Sequence, residues 1–370
     1  MPSILRNTIS DRKRKNFIIN GNFDFWQRGT NTFMSTTGTY LADRFIGYES
    51  GIGAMVQERD TDVPTFAQSG YNSTYSFKAT NDNTTALAAN DYAQLAYAVE
   101  GYDYAELHGK TMTLSFWVKS SVAGQFSVAF DRDTPSRRVY IQSYTVDSAN
   151  TWERKVITLP TDTAVSGWDF GNGRGVRINW NLGLGSNLNG GSEGAWFDDS
   201  GNNNFGLVTD NTTWATTNGS TFNVSQIMLT SGDADEGVFR RYGDSAEEEL
   251  SACQRYFEKS YDLNVTPGTA FDEGRVIDGG VVNASSSTAD IFTDVPFRVR
   301  KRATASATIY DLAGGSGNVL TFNNQGSVIN AAFATTVNIL GEHSISVRTN
   351  NIGTSAAGHA FQWTADAEIL

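Results

Sequence analysis

The sequence predicts an all-β protein: a jelly-roll β-sandwich, followed by a short helix and a second, smaller β-sandwich domain. Charged residues make up 18% of the 370 residues, against about 25% in typical globular proteins. Gly, Ser, Thr and Asn fill the difference, and these residues favour turns and strands over helices. Aromatic residues, at 12%, supply the mass of a core.

Strict alternation of apolar and polar residues marks the clearest strand, at 111–119. Met112, Leu114 and Phe116 fall on one face, while polar residues fall mainly on the other, as expected for a strand with one face on a core. Similar short runs separated by turns follow one another along the first 230 residues, which favours a sandwich over a parallel α/β sheet. The further predicted strands lie at 75–79, 93–99, 137–146, 152–159, 175–182 and 221–229.

One helix is signalled by a capping box, in which Ser245 and Glu248 each satisfy a free backbone donor. Apolar residues at helical spacing follow, and the helix is expected to end near Lys259, whose charge suits the C-terminal dipole. A Pro-Gly pair at 267–268 then indicates a linker. The predicted segments are an arm at 1–15, the jelly roll at 16–244, the helix and linker at 245–267 and the C-terminal β-sandwich at 268–370.

Composition also excludes several classes of function. The net charge of −12 and the pI of about 4.7 argue against a nucleic-acid partner. Cys253 is the single cysteine, so the fold does not depend on an intrachain disulfide. No run of about 18 apolar residues and no signal peptide is present, which predicts no membrane insertion and folding in the cytoplasm where the chain is made.

The motifs of common enzymes are missing, and we expect that the chain is not an enzyme. The sequence holds three histidines and no HExxH, CxxC or P-loop motif. A GxSxG match at 190–194 lies in a Gly/Asn-rich loop, without the strand and helix of a nucleophile elbow. No cofactor is expected, although Asp- and Asn-rich turns leave a structural Ca²⁺ ion open as an alternative.

A long Gly/Asn/Ser/Thr-rich stretch between the strands at 175–182 and 221–229 is the candidate glycan-binding region. It contains Trp196, Phe197 and Trp214, whose rings could stack on a sugar, with Asp198 and Asp199 as acceptors for its hydroxyls. The alternative is that these aromatic residues fold back as a cap over the sandwich core.

A basic cluster near the N-terminus is the candidate docking site for a partner. It consists of Arg12, Lys13, Arg14 and Lys15, and we expect the arm to become ordered against carboxylates of another subunit. A solvated tail is the alternative interpretation.

Three groups of motifs resemble a known family. They are the run at 16–29 with 41–45; the run at 221–229 with 239–242 and 249–257; and the run at 295–300 with 308–310. Together they resemble phage tail-fibre and related virion proteins that carry a carbohydrate-binding-module-like jelly roll. Related modules can hold Ca²⁺ through a closing strand with two Asp, where this chain has the polar run 223–226 instead. Within the first motif group, Asp43 and Arg44 are adjacent and are expected to form a charge-assisted bond.

The resemblance implies a structural and binding component of a phage virion, such as a short fibre, a tail piece or a capsid-attached decoration. The implied location is the virion, the implied partners are other phage virion proteins and host surface glycan, and the implied assembly is a homo-oligomer, with a trimer favoured. Two alternatives remain open: a depolymerase-like glycan hydrolase, and a purely architectural decoration protein without a ligand.

Overall fold

The computed structural model describes residues 14–53, 55–82, 85–132, 136–164, 166–199, 204–210, 213–235, 237–279, 290–350 and 356–369. The described contacts divide the chain into two compact units. The first holds 14–24, 31–39 and 45–249. The second holds 25–30, 40–44 and 250–369.

The first unit is a jelly-roll β-sandwich of two antiparallel sheets. The first sheet has the strand order β1-β4-β5-β13-β7-β10, and the second has the order β12-β9-β8-β11-β6-β3-β2. The strands are β1 (Asn31–Phe33), β2 (Thr39–Tyr40), β3 (Phe45–Ser50), β4 (Val56–Asp60), β5 (Ser76–Thr80), β6 (Tyr92–Glu100), β7 (Met112–Ser120), β8 (Gly124–Arg132), β9 (Arg138–Val146), β10 (Glu153–Leu159), β11 (Arg174–Leu184), β12 (Phe197–Asp198) and β13 (Thr221–Ser231). The helices are α1 (Phe66–Ser69), α2 (Gly101–Leu107) and α3 (Thr213–Thr216), and the boundary between the two units falls within α4 (Ala246–Gln254).

The core of the first unit lies between these two sheets. Phe116 of β7 meets Trp180 of β11 edge to face, with ring centroids 5.9 Å apart. Phe126 of β8 lies 5.7 Å from Phe222 of β13. The alternation at 111–119 therefore arises, as predicted, from a strand with one face on the core. Each of the other strands predicted in this region is confirmed within two residues of its bounds.

A turn at the start of the unit explains the first motif. Asn20 adopts a left-handed backbone with φ of 61°. The amide of Ile227 donates to the Gly21 carbonyl oxygen at 2.8 Å. A Cβ on Gly21 would lie 2.2 Å from the Ile227 oxygen, so only glycine fits this close approach.

The second unit also consists of two antiparallel sheets around one core. In the larger sheet the order is β14-β22-β18-β19, with β15 and β17 also pairing with β22; in the smaller it is β16-β21-β20. The strands are β14 (Phe257–Lys259), β15 (Val276–Asp278), β16 (Ile291–Pro296), β17 (Ser306–Tyr310), β18 (Asn318–Phe322), β19 (Val328–Ala334), β20 (Thr336–Leu340), β21 (Ser344–Thr349) and β22 (Gly358–Asp366). Two N-terminal segments, 25–30 and 40–44, belong to this unit. The predicted segment boundaries place both of them in the jelly roll instead.

The helix prediction is correct at its start and wrong at its end. The Ser245 hydroxyl accepts from the Glu248 amide at 3.1 Å, but α4 ends at Gln254. Lys259 lies on β14 instead, because 257–259 pair with β22. Its ammonium group donates to the carbonyl oxygens of Gln27, Leu263 and Val265, and burial lowers its pKa to about 8.

The expected bond between Asp43 and Arg44 is also corrected, because each side chain has another partner. Asp43 accepts from the Gln27 side chain at 2.7 Å and lies 3.7 Å from Arg28. Arg44 pairs with Glu368, and both side chains are almost fully buried. Both charges therefore belong to the interior of the second unit.

Candidate functional site

Trp196, the first residue of the predicted platform, packs against its own unit. Its ring centroid lies 5.5 Å from that of Tyr140 and 5.6 Å from that of Trp168. The indole nitrogen donates to the Pro160 carbonyl oxygen at 3.0 Å. The ring is half-buried, and these contacts support the alternative of a cap.

The next three residues of the platform hold the same loop in place. Phe197 packs on an apolar cluster on the outer face of the seven-stranded sheet, formed by Ala129, Val139, Ile141 and Leu207. The exposed Asp198 accepts from Arg138 at 3.1 Å. Asp199 is buried and accepts from the backbone and side-chain nitrogens of Asn204. The loop therefore covers part of this sheet face.

Trp214 does not join the platform, and its assignment to a glycan site is corrected. The side chain is fully buried on α3. Its indole nitrogen donates to the Thr221 carbonyl oxygen at 2.9 Å, and its ring lies 6.5 Å from Phe222. Trp214 is a core residue because the polar stretch around it folds back onto β13.

The basic cluster is only partly within the described residues. Arg12 and Lys13 lie outside them. Arg14 donates to the Ala234 carbonyl oxygen at 3.3 Å, and Lys15 donates to Asp103 at 2.8 Å and to Glu106 at 3.2 Å. The expectation that Lys15 bonds the carboxylates of another subunit is corrected, because it already binds two carboxylates of its own chain.

The polar face of β11 points to a different site. Ile178, Trp180 and Leu182 enter the core, so the alternating residues Arg177 and Asn181 lie on the outer face. The loop that carries Phe197 leaves part of this face open. A cleft of about 250 Å³ lies on this open part of the outer face. Its lining residues are Thr36, Tyr48, Tyr92, Gln94, Arg137, Arg177, Leu188 and Phe205.

Buried hydrogen bonds fix the floor of this cleft. Arg177 donates twice to Asp131, at 3.0 and 2.7 Å. The Gln94 amide donates to the side-chain oxygen Oδ1 of Asn181 at 2.8 Å, and the Asn181 side chain donates to the Ser127 hydroxyl at 2.8 Å. A network with its members bonded in this way holds polar groups in one geometry.

Aromatic rings and cations form the walls of the cleft. The guanidinium carbons of Arg137 and Arg177 lie 4.2 and 5.8 Å from the centroid of the half-buried Phe205 ring. Burial raises the pKa of the Tyr92 phenol, with Tyr48 nearby adding to the shift, so the phenol stays protonated. The described lining includes two arginines and no carboxylate. The cleft can therefore stack a ring and donate hydrogen bonds, and the guanidinium of Arg137 favours negative charge.

The strand at 175–182 was predicted from the sequence, whereas this site was not. The signal was present, because Arg177, Asn179 and Asn181 alternate with apolar residues and form a polar stripe on one face. The aromatic wall had no such signal, since Phe205 comes from the loop and its position depends on how that loop folds.

No group of three or more His, Cys, Asp or Glu side chains among the described residues is placed to hold a metal ion, and the structural Ca²⁺ ion stays an open alternative. In the same part of the chain, no helix is long and apolar enough to cross a membrane.

Comparison with known proteins gives a likeness to solved structures alone. No protein-family model and no curated protein sequence matches the chain. The enzymatically active domain of tailspike protein 4 of bacteriophage CBA120 matches 58% of this chain and 21% of its own, with 12% identity and a TM-score of 0.32. The chain thus spans about a fifth of that tailspike's length.

Carbohydrate-binding modules are among the other similar structures. TmCBM61 bound to β-1,4-galactotriose matches over 59% of this chain and 99% of its own, with 10% identity and a TM-score of 0.29. The family 11 module from Clostridium thermocellum, bound to a β-1,3-1,4-mixed-linked tetrasaccharide, matches over 56% and 99%, with 14% identity and a TM-score of 0.28.

Proposed function

We propose that the first unit binds glycan in the cleft on the outer face of its seven-stranded sheet. The observation that carries this proposal is the joint lining of the cleft by the Phe205 ring, two tyrosines, an amide and two arginines. Binding sites for small ligands combine an apolar surface with a few fixed polar groups, and this cleft has both.

The chemistry of the walls favours acidic sugars. Phe205 and Tyr92 offer aromatic faces to a sugar ring, and Gln94 offers an amide for its hydroxyls. Arg137 places a guanidinium at the wall of the cleft, whereas the charge of Arg177 is already paired with Asp131. A guanidinium pairs with a carboxylate through two parallel hydrogen bonds, so a uronic acid or a similar acidic sugar is the favoured ligand.

We further propose that the cleft binds without hydrolysis. Most glycosidases place two carboxyl groups across the scissile bond, whereas the described lining of this cleft has none. The alternative of a hydrolase has a direct test. Incubation with the glycan that binds should release no reducing sugar, and steady release by the purified chain would establish the hydrolase instead.

The setting of this binding is also a proposal. The motifs at 16–29 and 221–229 resemble those of phage virion proteins, which favours a virion component that contacts host surface glycan and other virion proteins. A trimer or another homo-oligomer fits this role, because several weak sites acting together give useful adhesion. The alternative of an architectural protein without a ligand predicts no glycan binding at all.

A glycan array followed by calorimetry tests the proposal. The full chain is expected to bind acidic oligosaccharides on the array. Phe205→Ala is expected to lower the affinity for the selected oligosaccharide by at least about 10-fold. Phe66→Ala is the matched control, since Phe66 is an exposed phenylalanine on α1. Arg137→Gln and Arg154→Gln form a second pair, in which Arg154 lies on the other sheet.

The affinities of these four variants distinguish binding in the cleft from its alternatives. Loss of affinity in Phe205→Ala and Arg137→Gln, with both controls unchanged, supports the cleft. Equal affinity in all four variants, or no binding by the native chain, contradicts the proposal.

A further inference from the structure

The second unit carries a polar pocket of its own. The register across three strands places side chains in rows: Phe257 of β14, Asp366 of β22 and Ser306 of β17 form one row. Thr364 and Thr308 are directly opposite each other in the next row. Because side chains alternate between faces, these residues share the face opposite to Ala365, which lies in the core.

The pocket on this face has a volume of about 360 Å³, within the range of about 300–1,000 Å³ common for small-molecule sites. Ser306 and Thr308 are exposed; the Ser306 hydroxyl donates to the Asp366 backbone carbonyl oxygen at 3.3 Å and can still accept from a ligand. Tyr310, the next residue on the same face of β17, is half-buried and places an aromatic ring at one end. Such a set of hydroxyls beside a ring suits a polyhydroxylated molecule.

Carboxylates surround the one cation at the other end of the pocket. Arg28 donates to Asp366 at 3.1 Å and to Glu368 at 3.3 Å, and lies 3.7 Å from Asp43. The Asp366 side chain remains 40% exposed, so its carboxylate keeps room to accept from a ligand. A cation already surrounded by three carboxylates gives no preference for an anion, which favours a neutral ligand.

We propose that this pocket of the second unit binds one residue of a neutral saccharide. The Asp366 carboxylate accepts hydrogen bonds from two hydroxyls of the sugar. Ser306 and Thr308 form hydrogen bonds with its other hydroxyls, and Tyr310 borders the sugar ring. The site is separate from the cleft of the first unit and differs from it in preferring an uncharged sugar.

Saturation-transfer NMR of the full chain with the methyl α-glycosides of glucose, galactose and mannose tests this inference. At least one glycoside is expected to bind. Thr308→Tyr is expected to lower the affinity for that glycoside by at least about 10-fold, because the new ring fills the pocket. Thr308→Val removes only the hydroxyl and is expected to cause a smaller loss. Thr336→Tyr, at an exposed threonine of β20, is the matched control.

Phe205→Ala distinguishes the two sites. It is expected to leave glycoside binding unchanged, since Phe205 belongs to the first unit. The inference is overturned if no glycoside binds the native chain, if Thr308→Tyr binds as tightly as Thr336→Tyr, or if Phe205→Ala abolishes the signal.

Discussion

The Arg28 guanidinium lies over the ring of Phe257, with its central carbon 3.8 Å from the ring centroid. Arg44 lies in the same way over Tyr256, at 3.4 Å, and pairs with the buried Glu368. Two short N-terminal segments therefore supply the cations that the interior of the second unit requires. The segments 25–30 and 40–44 therefore complete a unit whose other residues begin at 250.

The first prediction concerns a fragment of residues 250–370. We expect it not to fold cooperatively, because it lacks Arg28 and Arg44 and leaves Glu368 buried without either cation. Circular dichroism during urea unfolding measures this, with the full chain as reference. A cooperative transition of the fragment at the midpoint of the full chain would contradict the account.

A point variant makes the same test in the full chain. Arg44→Ala is expected to lower the free energy of unfolding by about 3–5 kcal/mol, since it breaks a buried pair by removing one partner. Arg300→Ala removes an arginine from an exposed pair with Glu342 and is expected to leave stability unchanged. Similar losses in both variants would show that burial is not the cause.

The second prediction concerns the tryptophans of the predicted platform. Trp214→Ala is expected to cost about 3–5 kcal/mol of stability, because its ring is fully buried. Trp196→Ala is expected to lower the melting temperature by less, since this ring is half-buried. Glycan affinity is expected to stay unchanged in Trp196→Ala, and a loss of affinity without a loss of stability would restore the platform hypothesis.

These residues also show how far sequence reasoning reaches. Alternation of apolar and polar residues at 112–118 predicted a strand, because a sheet with one buried face imposes a period of two on the chain. Trp214 could not be assigned in this way: its neighbours are polar, and its burial follows from a fold of the loop onto β13. Lys259 was misplaced for a similar reason, since pairing with β22 replaced the last turn of the helix.

The third prediction concerns pH. Burial lowers the pKa of His359 from its ordinary 6.5 to about 4, and its two ring nitrogens lie 2.6 and 2.7 Å from the hydroxyls of Thr293 and Thr349. The unfolded chain therefore binds a proton more readily, so the stability that neutral His359 contributes is complete above pH 6.5. It is lost as the pH falls toward 4, up to about 3 kcal/mol.

The difference in unfolding free energy between native chain and His359→Gln isolates this effect. We expect that difference to change between pH 6.5 and 4 and to stay constant above this range. His343→Gln, at an exposed histidine, is the control. A constant difference across the whole range would show that His359 does not titrate as described.

The fourth prediction concerns salt. If Arg137 recognises acidic sugars, affinity for a uronate-containing oligosaccharide is expected to fall between about 0.05 M and about 0.5 M NaCl, because salt screens exposed charges. The same oligosaccharide with its carboxylates reduced to alcohols is expected to bind more weakly and with little salt dependence. Equal salt dependence for both forms would exclude the charge-based preference.

The central claim is that the cleft of the first unit holds the glycan. A crystal structure of the protein soaked with the oligosaccharide selected on the array tests it most directly. We predict a sugar ring against Phe205, within hydrogen-bonding distance of Arg137 and Gln94. A sugar bound instead at Trp196, with the cleft empty, would contradict the claim.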